Sequence, residues 1–265
     1  MVNPTRLIFT MKTWASGVNQ INMTEGKYLY CIIKENKPKK FWVKGIEGKN
    51  VYNVCESGIS AVVSDSEVKE YFISRENLLA HQMVLEEISQ QYNALPVSFG
   101  TVSENSEELK QNILRPRAKD FEGQLKKVEG KIELGLKALW TNMPAVFQEI
   151  AKSSPMIQNL KKSKNTSYQQ KISAGELVGK LLEEKREEEK EKILKPLEKI
   201  ADDVKENKVL GGDMIVNAAF LVKKIKEKEF DKQVNSLGEK FGQRVKFAYV
   251  GPLPPFNFVE LHLTV

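Results

Sequence analysis

The sequence predicts an α+β protein, sheets covered by helices, on three observations. Ser74 to Thr101 (SRENLLAHQMVLEEISQQYNALPVSFGT) sets an amphipathic helix directly before a strand-like alternation, and a helix so placed needs a sheet to cover. The order from residue 28 to 121 is strand, strand, helix, strand, helix, which suits helices on one face of an antiparallel or mixed sheet. Strand–helix–strand then recurs between 213 and 250.

Residues 1–25 carry an apolar run, Leu7 to Met11, turn polar through Ser16, Gly17 and Asn19, and read as an N-terminal arm. Tyr28 to Ile33 is the first secure strand. Phe41 to Ile46 is a short one between glycine-marked turns, and Val51 to Cys55 is equivocal. Gly58 to Ser64 alternates Ile59, Ala61 and Val63 with high β-branched content. Ser74 suits an N-cap, and Leu78, His81, Leu85, Ile88 and Tyr92 share one helical face, widened by Val84. Pro96 cannot extend that helix, and Val97, Phe99 and Thr101 alternate as a strand. Asn105 or Ser106 starts a second helix to about Phe121, interrupted by Pro116.

A second unit opens at Lys131 to Trp140, with Ile132, Leu134 and Leu136 on one side and Glu133 and Lys137 on the other face or in solvent. Pro144 to Ala151 reads as helix, and Ser153 to Gln170 as a polar, lysine-rich loop. Lys171 to Lys208 suits a long charged helix of about 55 Å. Glu183 to Lys192 has no apolar residue, so this segment is expected to project from the body, split near Lys192 by Pro196. Asp213 to Val222 is an apolar central strand, Glu227 to Phe241 an amphipathic helix, and Arg244 to Val250 a strand. Gly251-Pro252-Leu253-Pro254-Pro255 reads as a rigid turn, and Phe256 to Val265 as a closing strand. The expected domains are 26–125 and 126–265, the latter holding the charged insertion 171–208.

With 41% hydrophobic and 29% charged residues, the chain can bury a core beneath a solvated surface. A net charge of +6 raises nucleic-acid binding, but 35 acidic against 41 basic residues make a mixed surface. Cys31 and Cys55 read as reduced core thiols, and neither a secretory leader nor a membrane-length apolar run is legible. A cytoplasmic protein is expected. Glycine-rich phosphate loops, metal-ligand spacings and nucleophile elbows are absent, so no enzyme, cofactor or metal is expected. Asp202-Asp203 and Glu187 to Glu189 read as a solvated helical face.

His81 is the one titratable side chain in an apolar stripe. A general base there needs an orienting carboxylate and a cleft, whereas a structural histidine needs one hydrogen-bond partner, which is the simpler reading. Arg75 and Asn77 suit either an anion at a helix N-terminus or plain local capping with a salt bridge, and the latter is favoured. Tyr28, Tyr30 and Phe99 resemble the aromatic sheet of an RNA-binding module, but the strand VSFGT lacks that module's basic and paired aromatic residues.

Four blocks together resemble the GvpF/GvpL family of gas vesicle accessory proteins. They are Arg75 to His81 with Val84-Leu85, Leu95 to Thr101, Gly130 to Lys137 with Trp140, and Gly251 to Val259. The resemblance covers about residues 27–265 and departs from the usual pattern at 256 and 257, where tyrosine and serine are commoner. It marks Arg75, Asn77, His81, Pro96, Phe99, Gly100, Gly251, Pro254, Pro255 and Phe256 as motif or interaction residues. It implies two α+β domains, the first ferredoxin-like and the second a modified version with extra helices. It also implies a non-enzymatic part in gas vesicle assembly, in contact with the hydrophobic major shell protein and other accessory proteins. The rival reading is a nucleic-acid-binding protein built on such sheets.

Overall fold

A computed structural model of the chain describes residues 26–162, 167–259 and 261. The expected N-terminal arm, residues 1–25, lies outside them. The first sheet comprises β1 (Gly26–Ile33), β2 (Lys40–Lys44), β3 (Asn50–Glu56), β4 (Ile59–Ser66), β5 (Ala94–Pro96) and β6 (Val102–Ser103). Its order is β2-β3-β4-β1-β5, with β6 also on β1, and the registered pairs are antiparallel. The equivocal Val51 to Cys55 run is thus a full strand, as its alternation with β4 requires.

Helix α1 (Arg75–Gln91) packs His81, Val84, Leu85 and Ile88 onto one face of this sheet, over Tyr28, Tyr30 and Ile33. Leu78, expected in the buried stripe, is 42% exposed. The other face meets α2 (Ser106–Glu108), a π-helical turn over Leu109–Leu114, and α3 (Arg115–Val128). Leu109, Ile113, Leu114, Phe121 and Leu125 cover Leu29, Ile59, Ala61 and Val63. The helices therefore lie on both faces of the first sheet, not one. Asn105 caps the entry, accepting from the N–H groups of Glu107 and Glu108. Pro116 does not stop the helix, because the π turn just before it widens the spiral where the proline ring would otherwise meet the preceding turn.

The second sheet has the order β10-β7-β9-β8 and is antiparallel throughout. Its strands are β7 (Lys131–Trp140), β8 (Asp203–Glu206), β9 (Met214–Lys223) and β10 (Val245–Leu253). Between them run α4 (Met143–Ser153), α5 (Pro155–Lys162), α6 (Tyr168–Glu198) and α7 (Glu227–Phe241). Leu134, Leu136, Phe220 and Val222 form a core with Val146, Ile193, Leu197, Phe230 and Leu237 from these helices. Burying each such side chain contributes about 1.5–3 kcal/mol.

Several expectations are corrected here. The stretch 153–170 is largely helical, since α5 and the start of α6 occupy its described residues. Helix α6 is one 31-residue element, not two. Pro196 falls in its last turn, two residues before the end, where the lost hydrogen bond interrupts nothing further on. The helix stops at Glu198, so Asp202 lies in a turn and Asp203 begins β8 rather than a helical face. Val97 to Thr101 is a loop rather than a strand, because β5 ends at Pro96 and Gly100 turns the chain at φ +85°. Gly251 to Leu253 completes β10, with a cis Gly251–Pro252 bond, and Phe256 to Phe258 is a turn rather than a strand.

Candidate functional site

The residues marked by sequence fall into two groups. In the first, His81 stands among Tyr28, Tyr30 and Phe99, its ring centre 5.7, 5.5 and 5.8 Å from theirs. Its Nδ1 lies 3.0 Å from Tyr28 Oη, and a further bond joins the ring to the Val97 backbone. Tyr28 Oη also accepts from the Gly100 N–H at 3.0 Å. Burial lowers the His81 pKa to about 4, so the ring is neutral at pH 7. Its partners are this phenol and this backbone, with no carboxylate among them. His81 is a buried joint between α1 and the loop from Pro96 to Gly100.

Pro96 is buried on the edge strand β5 opposite Cys31, a position where a missing N–H costs nothing. At the helix start, Ser74 Oγ accepts from the Asn77 N–H, and Asn77 Nδ2 donates to the Phe72 carbonyl. Ser74 is therefore the cap and Asn77 the residue capped, its side chain tying the helix start back to the connector, while Arg75 is exposed at the first helical position. Tyr28 and Tyr30 have no exposed surface, being covered by α1, so they offer no stacking platform for RNA.

The second group lies at the C-terminal end. Gly251 has φ +138°, and an added Cβ would sit 2.7 Å from Leu134 Cδ2 and 3.0 Å from the Glu133 carbonyl, so only glycine fits. Pro254 and Pro255 are buried, and Phe256 is 40% exposed. Beyond them, Asn257 meets Glu133, which is 2% exposed rather than in solvent. The Asn257 backbone N–H and Nδ2 donate to the two oxygens of that carboxylate at 2.7 and 2.6 Å. Burial raises the Glu133 pKa and the Asn257 bonds oppose the rise. Phe258 then packs on Ala219 and Leu221 of the second sheet, while Val259 and Leu261 enter the core of the first. The C-terminal motif is a strap across both sheets. Beside it, a cleft of about 370 Å³ runs between the sheets, lined by Tyr92, Asn93, Val128, Ile132, Lys224 and Pro254.

Sequence reasoning missed the network that holds α6. Glu189 lies buried in the stretch expected to project. It accepts from Trp140 Nε1 at 2.6 Å and from Arg244 at 2.7 Å. Arg244 also grips Glu149 bidentately at 2.6 and 3.0 Å, and Lys185 joins at 2.8 Å. These cations hold the Glu149 pKa near 2. The polar stretch is docked by charge, not held away. Its signal was weak because the partners come from three distant segments.

The exposed apolar side chains were missed as well. Phe72 (83% exposed) and Ile73 (78%) stand on the connector into α1, and Leu79 (47%) and Met83 (58%) share the outer face of that helix. An i,i+4 apolar pair off the buried stripe was the legible sign.

Residues 26–260 match the family model described as gas vesicle synthesis protein GvpL/GvpF. The chain belongs to the GvpL/GvpF family. It is 30% identical over 247 residues to Gas vesicle protein F of a Nostoc species, covering 90% of this chain and 100% of that one. Gas vesicle protein F1 of Halobacterium salinarum is 27% identical, with 91% and 96% covered. The crystal structure of GvpF from an Anabaena species superposes with a TM-score of 0.82 at 28% identity, covering 90% and 100%. That from Microcystis aeruginosa gives 0.78 at 27%, with the same coverage. The mixed helix and antiparallel-sheet fold is thus that of GvpF, and membership in the GvpL/GvpF family gives the chain a role in gas vesicle formation.

Proposed function

We propose that this protein is a non-catalytic, chaperone-like assembly factor, acting in the cytoplasm, that binds the hydrophobic major shell protein and other accessory proteins while gas vesicles form. The observation that carries this reading is the exposure of Phe72, Ile73, Leu79 and Met83 on α1 and the connector that leads into it, on a chain in which 29% of the residues are charged. Such a surface suits an aggregation-prone partner that must be shielded before it packs. The buried, neutral His81 supports a structural rather than a chemical use of the family motif. None of the described helices is long and apolar enough to cross a membrane.

We read the two sheets as two domains, near 26–125 and 126–265. The order β10-β7-β9-β8 around an α4–α6 crossover and α7 supports a modified ferredoxin-like plan in the second. In the first, β5-β1-β4-β3 follows the same order, with β2 where a crossover helix would stand.

Pull-down with the major shell protein tests the reading, comparing the wild type with Leu79→Asp/Met83→Asp. The expected result is capture by the wild type and at least a tenfold weaker association by the variant, about 1.4 kcal/mol or more. Absence of association with the wild type, together with normal vesicles in a strain lacking the protein, would sink it.

A further inference from the structure

Strand β2 (Lys40–Lys44) is the outer strand of the first sheet, with β3 on one side and no strand on the other among the described residues. Its side chains alternate. Phe41 and Val43 are half-buried and pack toward the cluster beneath α1, while Lys40, Trp42 and Lys44 project from the opposite side into solvent. Trp42 is 100% exposed. The register against β3 slips between Phe41 and Lys44, and an irregularity of this kind re-aims a side chain.

Positive charge is concentrated at the same edge. From Lys34 to Lys49 the chain carries six lysines against two acidic residues. Both acids are engaged, Glu35 by Lys39 at 2.6 Å and Glu47 by Lys69 at 2.8 Å. Lys34, Lys37, Lys40 and Lys44 are exposed and make no ion pair among the described residues, Lys44 donating instead to Asn50 Oδ1 at 2.6 Å. Lysines alone would guard an open edge, and a second β2 laid alongside would set lysine against lysine. The tryptophan between them does the reverse, offering a large apolar side chain of the type that anchors interfaces. An occupant of this edge therefore has to be acidic, extended and partly apolar. Single-stranded nucleic acid shares the charge but stacks on successive aromatic rings. On the strands of this sheet Trp42 is the one exposed ring, Phe41 and Tyr52 being half-buried and Tyr28 and Tyr30 buried.

We propose that an acidic, extended segment of a protein partner lies along the open edge of β2. It pairs with the backbone of the strand, seats an apolar side chain on Trp42 and sets its carboxylates against Lys40 and Lys44. The lysines steer the segment in and fix its register. This edge faces away from α1, so loss of binding here and loss of shell-protein binding at α1 are separate results.

Fluorescence anisotropy of a short labelled peptide alternating valine with aspartate or glutamate tests it. Saturable binding to the full chain is expected, weakening with added salt. Trp42→Ala and Lys40→Glu/Lys44→Glu should each weaken it at least about tenfold, with thermal unfolding of both variants unchanged. A peptide with prolines in place of alternate valines should also bind at least about tenfold more weakly, because it lacks the backbone donors. Failure of the acidic peptide to bind the wild type, or undiminished binding to Trp42→Ala, would overturn the proposal. Equal binding of the proline peptide would overturn the strand pairing. An oligothymidylate bound more tightly than the peptide, and lost in Trp42→Ala, would overturn it in favour of single-stranded nucleic acid.

Discussion

Asn257→Ala is the most informative single change, because it isolates one hydrogen bond to one buried charge. The side-chain Nδ2 sits 2.6 Å from Glu133 Oε1, and the backbone N–H, which the substitution leaves intact, sits 2.7 Å from Oε2. Glu133 is 2% exposed, so water cannot replace the lost donor without opening the strap. The cost of an unsatisfied buried group of this kind is about 1–3 kcal/mol, or about 2–4 °C in Tm per kcal/mol for a chain of this size. Glu133 already has a raised pKa in the folded state, and removing a bond that lowers it raises it further. A raised carboxylate pKa means that the folded state binds the proton more tightly. Stability from this group is therefore greatest below its unfolded pKa of 4.5 and falls as pH rises through the folded value. The loss caused by Asn257→Ala should then be largest at pH 7 and shrink toward pH 4.5. Thermal unfolding across that range measures it, and the same change in a Glu133→Gln background closes a double-mutant cycle. An equal loss at both pH values, or an equal loss in the Glu133→Gln background, would refute the assignment.

Three further outcomes follow from the same geometry. His81 has its pKa depressed from 6.5 to about 4, so its stabilising contribution is complete above 6.5 and is lost as pH falls toward 4, about 3 kcal/mol at most. His81→Gln should flatten that acid limb in denaturant titrations run from pH 7 to pH 4. Gly251→Ala forces a Cβ to within 2.7 Å of Leu134 and should cost at least about 1–3 kcal/mol by chemical denaturation. Arg244→Gln leaves Glu189 with Lys185 at 3.8 Å and Trp140 Nε1 but without its closest cation, and should destabilise the protein by about 1–3 kcal/mol and quicken hydrogen exchange in α6.

Local signals were legible wherever the element's own residues decide it. Helix α7 spans Glu227–Phe241 as its periodicity demands, with Phe230, Val234 and Leu237 buried, and β9 reads directly from its apolar run. The failures share a physical cause. Val97 and Phe99 alternate as in a strand, but the backbone there is committed to Tyr30 and Tyr28, through Val97 N–H on the Tyr30 carbonyl and Gly100 N–H on Tyr28 Oη. Glu183 to Lys192 lacks apolar residues, yet Glu189 is buried because Trp140 and Arg244, both distant in sequence, supply its donors. Glu133 likewise depends on Asn257, more than a hundred residues on. Periodicity reports which face is apolar, and it cannot report a polar partner that only the tertiary fold delivers.

The buried motif residues expected from sequence and the exposed apolar residues proposed above as the binding surface are largely different. His81, Gly100, Gly251 and Pro254 are fixed by burial, close approach or backbone geometry, and each acts within the fold. Phe72, Ile73 and Met83 lie outside the recognised blocks and face solvent. Leu79 is the instructive exception, lying within the Arg75 to His81 block but on the opposite side of the helix from His81's contacts. This division predicts two separable phenotypes. Met83→Asp removes no packed side chain, so its unfolding free energy should stay within about 0.5 kcal/mol of the wild type. Its capture of the shell protein should nevertheless fall. Leu85→Ala on the buried face should cost about 2–5 kcal/mol, with binding preserved in whatever fraction remains folded. Binding normalised to folded protein, compared for these two variants, decides the matter. Equal losses for both would mean that the outer face of α1 has no recognition role beyond keeping the helix soluble.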